Sequence, residues 1–85
     1  MEIILLQKAQ EQLSYWEKTN NKIVLKRISI LIRAITNDPY IGIGKPELLK
    51  HELSGKWSRR IDKENRLVYA ILDSVLYIYT IKGHY

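Results

Sequence analysis

The chain has 85 residues, of which 46% are hydrophobic, and it carries a formal net charge of +5 at pH 7. This length predicts a single domain over residues 1–85, and the hydrophobic content is too high for a disordered chain. The sequence has no cysteine, no apolar run long enough to span a membrane and no signal-peptide pattern at its start, so we expect a cytoplasmic protein without disulfides or membrane contact.

The first half of the chain is predicted to form a strand and then two helices. Residues 3–6 are a short apolar run, which is typical of a buried strand. Residues 7–19 carry apolar side chains at helical spacing, and Asn21 is a suitable N-cap for a second helix that ends before Pro39. Because the link between the helices is short, we expect an antiparallel helical hairpin.

The second half of the chain is predicted to form antiparallel strands. Residues 40–50 hold two glycines and a proline and should form an ordered loop, with a short turn at residues 46–49. From residue 51 onward apolar residues alternate with others, with turns at residues 62–65 and 73–74. The last strand, up to Ile81, alternates without interruption and is apolar on both faces, so it should lie inside the sheet.

These elements predict an α+β fold. An N-terminal strand and a two-helix hairpin would pack on one face of a small, mainly antiparallel sheet, because the helices must bury their apolar stripes. The other face of the sheet would remain open and could serve as a binding surface.

Two side chains are candidates for acid–base chemistry. His84 stands next to the C-terminal aromatic residue Tyr85, and histidine is the side chain that exchanges protons near neutral pH. Glu47 lies between Lys45 and Lys50, whose charges would keep it ionised and able to act as a base. Each also has a plainer interpretation, as a surface histidine near a chain end and as a solvated loop carboxylate.

Arginines flank the predicted hairpin around residues 62–65. If the apolar residues of both strands face the core, Arg60 and Arg66 both face away from it. They lie side by side only if their connection has an odd number of residues or a bulge, and we predict such an irregular connection. Two neighbouring arginines can clamp a phosphate, although together with Arg59 they also fit a solvated cationic edge that prevents sheet aggregation.

The basic charge favours an anionic partner, which could be nucleic acid, an acidic protein or a membrane surface. With nucleic acid, the candidate residues suit metal-independent cleavage of RNA. A base takes the proton of the 2′-hydroxyl, cations stabilise the phosphorane, and an acid protonates the departing 5′ oxygen. No carboxylate or histidine cluster has metal-ligand spacing and no glycine loop fits a nucleotide phosphate, so we expect neither metal nor other cofactor.

The run from Gly44 to Ile61, followed by Arg66-Leu67-Val68-Tyr69 and the terminal His84-Tyr85, resembles the YoeB toxin family of the RelE/ParE group. The resemblance extends over essentially the whole chain. It implies the compact, microbial-ribonuclease-like fold of these toxins and cleavage of messenger RNA in the ribosomal A site. It also implies an antitoxin partner of the YefM/Phd type and a toxin that can form a homodimer.

The resemblance further implies roles for individual residues. Glu47 matches the general base, His84 the general acid and Arg66 the arginine that stabilises the phosphate. The substrate-binding positions are the cationic Lys50 and Arg60, the RNA-positioning Tyr85 and, as a further predicted cation, Lys45. The family has a more basic and aromatic pair where this chain has Lys82-Gly83, so Gly83 is expected to hold His84 less firmly.

Two other functions fit the same sequence. A ParE-like binding module of this fold would block a target such as gyrase without cutting RNA, and it would not need the acid–base pair. A basic RNA- or ribosome-binding domain without toxicity would leave Glu47, Arg66 and His84 unexplained.

Overall fold

The computed structural model describes residues 1–84 and contains five strands and two α-helices. In chain order the elements are β1 (Glu2–Leu5), α1 (Gln7–Lys18), α2 (Lys22–Asn37), β2 (Glu47–Leu48), a 3₁₀ helix at His51–Leu53, β3 (Trp57–Arg60), β4 (Arg66–Leu72) and β5 (Val75–Thr80). The predicted order of a strand, two helices and a mainly antiparallel sheet is confirmed.

All five strands belong to one sheet in the order β1-β5-β4-β3-β2. Strand β1 runs parallel to β5, and the other three pairs are antiparallel. Strand β5 therefore lies between β1 and β4, as its two apolar faces predicted. The C-terminal segment consequently leaves the sheet from an interior strand.

The helical hairpin covers one face of this sheet. The Asn21 side chain caps α2 by accepting a hydrogen bond from the Val24 amide at 3.1 Å. The Trp16 indole of α1 donates to the Ile81 carbonyl at 2.9 Å, so the helix is tied to the residue that follows β5. The core consists of apolar residues of both layers, including Ala9, Trp16, Ile28, Leu31, Ile35, Leu67, Leu76 and Ile78. Within residues 1–84, neither helix combines the length and the apolarity that crossing a bilayer requires.

The segment after the hairpin differs from the sequence prediction. Glu47 and Leu48 pair with Ser58 and Trp57 as a short edge strand, so the predicted turn at residues 46–49 was wrong. The predicted two-residue alternation also starts later, since His51–Leu53 forms a turn of 3₁₀ helix. A strand of two residues is too short to show an alternating pattern, which explains why the sequence did not indicate it.

A β-bulge interrupts the pairing of β4 with β5. Val68 pairs with Thr80, whereas the next residue, Tyr69, pairs with Ile78, so Tyr79 is an extra residue on β5. An extra residue shifts the alternation beyond it by one position. Ile81 accordingly turns into the core, where only 1% of it is exposed. The prediction of uninterrupted alternation up to Ile81 was therefore wrong.

Candidate active site

The connection between β3 and β4 sets two arginines side by side. It contains the five residues 61–65, and Arg60 and Arg66 are direct partners in the register of the two strands. On the same two strands, Trp57, Leu67 and Tyr69 face the helices, so Arg60 and Arg66 face the open side of the sheet. The predicted odd-numbered connection and the predicted orientation of Arg60 and Arg66 are both confirmed.

The Asp62 carboxylate organises this connection. It accepts hydrogen bonds from the backbone amides of Glu64 at 2.9 Å and Asn65 at 2.8 Å, and from the Asn65 side chain at 3.0 Å. Burial tends to raise the pKa of Asp62, but these hydrogen bonds and the nearby charge of Arg66 together bring the pKa below its ordinary value. The Arg66 guanidinium is fixed in turn, because its Nη1 donates to the carbonyl oxygen of Asp62 at 2.7 Å.

The residue before His84 is anchored to the same hairpin. The Gly83 amide donates to the Asn65 side-chain oxygen at 2.8 Å, and the Gly83 carbonyl accepts from the Arg66 amide at 3.0 Å. Gly83 adopts a φ of +82°, a conformation that side chains disfavour. Instead of loosening the segment, as the sequence suggested, Gly83 permits a turn whose backbone is bonded on both sides.

A buried arginine holds the loop that precedes β2. Arg59 is fully buried and donates to the carbonyl oxygens of Asp38, Ile41 and Ile43 at 2.6, 3.2 and 3.1 Å. Its Nε also donates to the Tyr69 hydroxyl at 3.2 Å, and that hydroxyl donates to the Pro39 carbonyl at 2.5 Å.

The same loop is fastened at its far end, where the Arg60 amide donates to the Gly44 carbonyl at 2.7 Å. Burial raises the pKa of the Tyr69 phenol, although the hydrogen bond and charge of Arg59 oppose that increase. The loop is thus held at both ends, and it delivers Lys45 and Glu47 to the open face of the sheet.

These elements enclose a polar cleft of about 400 Å³. It is lined by Lys45, Pro46, Glu47, Ser58, Arg60, Arg66 and His84. Five of the seven predicted site residues therefore meet in one place, although they come from the loop, three strands and the C-terminal segment. Lys50 does not line this cleft, and Tyr85 lies outside the described residues.

Lys50 lines a neighbouring depression that shares Glu47 with the cleft. Ser58, by contrast, lies in the cleft without having been predicted, and it is 2% exposed. Its position two residues before Arg60 on the same strand was the available signal, because side chains two apart share a face. The roles of Arg59 and Asn65 were also missed. Arg59 lies two residues from both Trp57 and Ile61, on the same face of the strand, and this position was a sign that it is buried.

The cleft combines a carboxylate, an imidazole, two guanidinium groups and an ammonium group. Such a set can remove one proton, supply another and stabilise a phosphate between them. Among the side chains of residues 1–84, no three histidines or carboxylates are grouped so that they could hold a metal ion.

Comparison with known proteins identifies close relatives. The family described as "YoeB-like toxin of bacterial type II toxin-antitoxin system" matches residues 6–85. The chain is 46% identical over 85 residues to Toxin YoeB of Escherichia coli (strain K12), with complete coverage of both chains. It is also 57% identical over 70 residues to Toxin YoeB of Synechocystis, which covers 82% of this chain and 81% of that protein.

Solved structures agree with these relationships. The YoeB/ParE toxin from Agrobacterium tumefaciens superposes with a TM-score of 0.95 at 33% identity, and the whole of both chains is covered. A heterotetrameric YoeB–YefM complex from Staphylococcus aureus contains a chain that superposes with a TM-score of 0.90 at 40% identity, covering 100% of this chain and 98% of that one. Escherichia coli YafQ shares only the fold, at 13% identity and a TM-score of 0.82.

Proposed function

Since the chain belongs to the YoeB-like toxin family of bacterial type II toxin–antitoxin systems, we propose that it is a metal-independent endoribonuclease that cleaves messenger RNA in the ribosomal A site. The observation that carries this proposal is the meeting of Glu47, Arg66 and His84 in one polar cleft. A carboxylate, a fixed cation and an imidazole are the groups that cleavage by the RNA's own 2′-hydroxyl requires.

The proposed reaction is a transfer of phosphorus between two oxygens of the RNA. Glu47 accepts the proton of the 2′-hydroxyl as its oxygen bonds to phosphorus, and His84 gives a proton to the 5′ oxygen as the P–O5′ bond breaks. The products are a 2′,3′-cyclic phosphate and a free 5′-hydroxyl. One proton enters the protein and one leaves it, so this step needs no water or other reactant.

The cationic side chains bind and stabilise the phosphate in the proposed reaction. The Nη1 of Arg66 donates to the carbonyl oxygens of Asp62 and Asn65, so the guanidinium presents its charge without having to reorganise. Arg60, directly opposite on β3, and Lys45 add positive charge around the same cavity. Lys50, which lines the neighbouring depression, is proposed to contact RNA further along the strand, and Tyr85 to stack on a base.

The partners follow from relatives. A YoeB of Staphylococcus aureus forms a complex with YefM and also a dimer, and YafQ forms a complex with DinJ. We therefore propose a YefM/Phd-type antitoxin as the partner of this chain, together with a homodimeric form. Because the proposed action is on translating ribosomes, we also propose a cytoplasmic location.

The alternative is a ParE-like toxin that blocks another target, such as gyrase, without cutting RNA. A blocking module needs complementary shape and charge but no proton donor and acceptor in one polar cleft. The convergence of Glu47 and His84 therefore favours the nuclease.

Brief expression in bacteria, followed by mapping of RNA 5′ ends, tests this function. We expect discrete cuts within translated codons, and we expect them to disappear in Glu47→Gln and in His84→Gln. Glu52→Gln is the matched control for Glu47→Gln, because Glu52 is exposed and lines neither the cleft nor the depression around Lys50. Intact messages with the parent protein would favour the blocking toxin, and persistent cuts in both variants would disprove the acid–base pair.

A further inference from the structure

A second cavity adjoins the candidate active site. It has a volume of about 420 Å³, which is within the range of small-molecule binding sites. Its lining residues include His84 and Val68, and Val68 is the strand partner of Ser58 in the cleft. His84 lines both this cavity and the polar cleft, so the two spaces adjoin at this residue. We refer to the second space as the side pocket.

The β-bulge shapes the wall of the side pocket. In a regular strand, Tyr79 and Thr80 would face opposite sides of the sheet. The bulge makes both available to the open face, where both line the side pocket beside Val68, the strand partner of Thr80. Leu53 of the 3₁₀ helix adds a further apolar surface. The pocket therefore has apolar and aromatic walls that suit a planar base.

The rim of the side pocket is positively charged. Lys8 of α1, Lys56 and Lys82 line it, and none of the described lining residues is an aspartate or a glutamate. The Lys82 ammonium lies 4.7 Å from the centre of the Tyr15 ring, outside the pocket, so Lys8 and Lys56 supply the charge of the rim. The Lys56 ammonium lies 4.6 Å from the centre of the Tyr79 ring, so its charge is held inside the pocket by a cation–π contact. Apolar walls beneath a cationic rim are complementary to a base with its phosphate.

From this arrangement we infer that the side pocket binds the RNA nucleotide on the 3′ side of the cut. The inference rests on the proposed function, in which His84 protonates the departing 5′ oxygen. That oxygen belongs to the 3′ nucleotide, so this nucleotide must lie on the His84 side of the phosphate. The side pocket is the cavity that borders His84 there, and Lys8 and Lys56 are placed to contact the following phosphate.

Two uncleavable probes test the assignment by calorimetric titration of the full chain. The short probe is a 2′-deoxynucleoside 3′-phosphate, which reaches only the cleft. The long probe adds one ribonucleotide with its own 3′-phosphate. We expect the long probe to bind about tenfold more tightly than the short one, which is the typical contribution of one stacked base. Amide NMR signals of Leu53, Thr80 and Gly83 should shift with the long probe alone.

A charge reversal with a matched control sharpens the test. Lys8→Glu should remove most of the advantage of the long probe and leave binding of the short probe unchanged. Lys18→Glu makes the same change on the same helix, at an exposed position that lines neither cavity, and should affect neither probe. Both measurements should be made at physiological salt, because distant charges are screened there.

Several outcomes would overturn the inference. Equal affinity of the parent for both probes would do so, as would an equal effect of Lys8→Glu and Lys18→Glu. If a hexaglutamate peptide shifted the three amide signals and the long probe did not, the pocket would be a site for an acidic peptide. Failure of this inference can be told apart from failure of the nuclease proposal. If the nuclease proposal failed, cuts in cellular RNA would be absent or independent of Glu47 and His84.

Discussion

The side-chain oxygen of Asn65 lies 2.8 Å from the amide nitrogen of Gly83, the residue before His84. Asn65 is also bonded to both oxygens of the Asp62 carboxylate. A continuous set of hydrogen bonds thus joins the hairpin that presents Arg66 to the segment that presents His84. The distance between the proposed acid and the phosphate-binding arginine depends on this connection.

Asn65→Ala should therefore impair cleavage more than folding. We expect kcat on programmed ribosomes to fall about tenfold or more, because misplacement of a reacting group costs rate steeply, with KM nearly unchanged. The loss of unfolding free energy should be about 2 kcal/mol, as hydrogen bonds within the hairpin are removed. Asn37→Ala, at the exposed end of α2, is the control. A rise in KM with an unaltered kcat would contradict a positioning role.

Removal of the Tyr69 hydroxyl should destabilise the loop that precedes β2. In Tyr69→Phe, Arg59 loses an acceptor and the Pro39 carbonyl loses its donor, at a cost of about 2 kcal/mol in unfolding free energy. Arg59→Met should cost more, about 3 kcal/mol, because three loop carbonyls lose their donor. Urea denaturation measures both.

The controls for these two variants are Tyr15→Phe and Arg33→Met, which make the same changes at exposed positions. We expect both controls to remain within about 0.5 kcal/mol of the parent protein. Equal stability of Arg59→Met and Arg33→Met would show that the buried guanidinium does not hold the loop.

Two glycines with similar backbones provide a steric test. Gly44 and Gly55 have φ angles of +85° and +90°. A Cβ at Gly44 would lie 2.8 Å from Leu31 Cδ2 and 3.1 Å from Arg59 Cβ, whereas a Cβ at Gly55 would meet nothing within 4 Å. Gly55→Ala should cost about 1 kcal/mol from backbone strain alone. Gly44→Ala should cost about 3 kcal/mol, since close contacts add to that strain.

Thermal unfolding of these two variants separates the contributions. The difference between their melting temperatures should reflect the contacts of Gly44, and Gly44→Ala should also reduce cleavage because the loop carries Glu47. Equal destabilisation by the two substitutions would mean that the loop moves freely away from β3.

Stability should decline in acid partly because of Asp62. Its pKa is lowered in the folded protein, so its contribution is complete above the unfolded pKa of about 3.9 and is lost as pH falls through the lower, folded value. Between pH 6 and pH 2, the parent should lose more unfolding free energy than Asp62→Asn, which has no carboxyl group to protonate there.

Asp73→Asn removes a carboxylate from the exposed turn between β4 and β5 and serves as the control. Its loss of unfolding free energy over the same pH range should resemble that of the parent. If Asp62→Asn showed the same pH dependence as the parent, the hydrogen bonds to Asp62 would not favour its charged form.

Patterns that repeat over a whole element predicted most of the fold. The helical stripe with Asn21 before it located α2, and the two apolar faces of β5 located that strand inside the sheet. The odd number of residues between Arg60 and Arg66 was predicted because successive side chains of a strand alternate between its two faces. Strand β2 escaped prediction because its two residues pair only through tertiary contact, and the bulge at Tyr79 escaped because one extra residue leaves no compositional trace.

The site could be predicted only as a set of residue types. Lys45, Glu47 and His84 were identified through chemistry and family resemblance, but they meet because side chains elsewhere fix the backbone. Arg59 and Asn65 provide those contacts, and their partners lie 16 to 21 and 18 positions away in the chain. Hydrogen bonds at such separations depend on the complete fold.

The pairing of Arg60 with Arg66 also has a thermodynamic consequence. Like charges directly opposite each other weaken an antiparallel pair, so the repulsion between Arg60 and Arg66 lowers the stability of the hairpin. An anion that neutralises the pair binds the native chain and not the unfolded one, which adds about 2.7 kcal/mol at a concentration 100 times Kd. Messenger RNA and an acidic protein segment would be linked to folding in the same way. Occupancy of the cleft by such an anion would therefore raise the free energy of unfolding of the whole chain, so that binding and folding support each other.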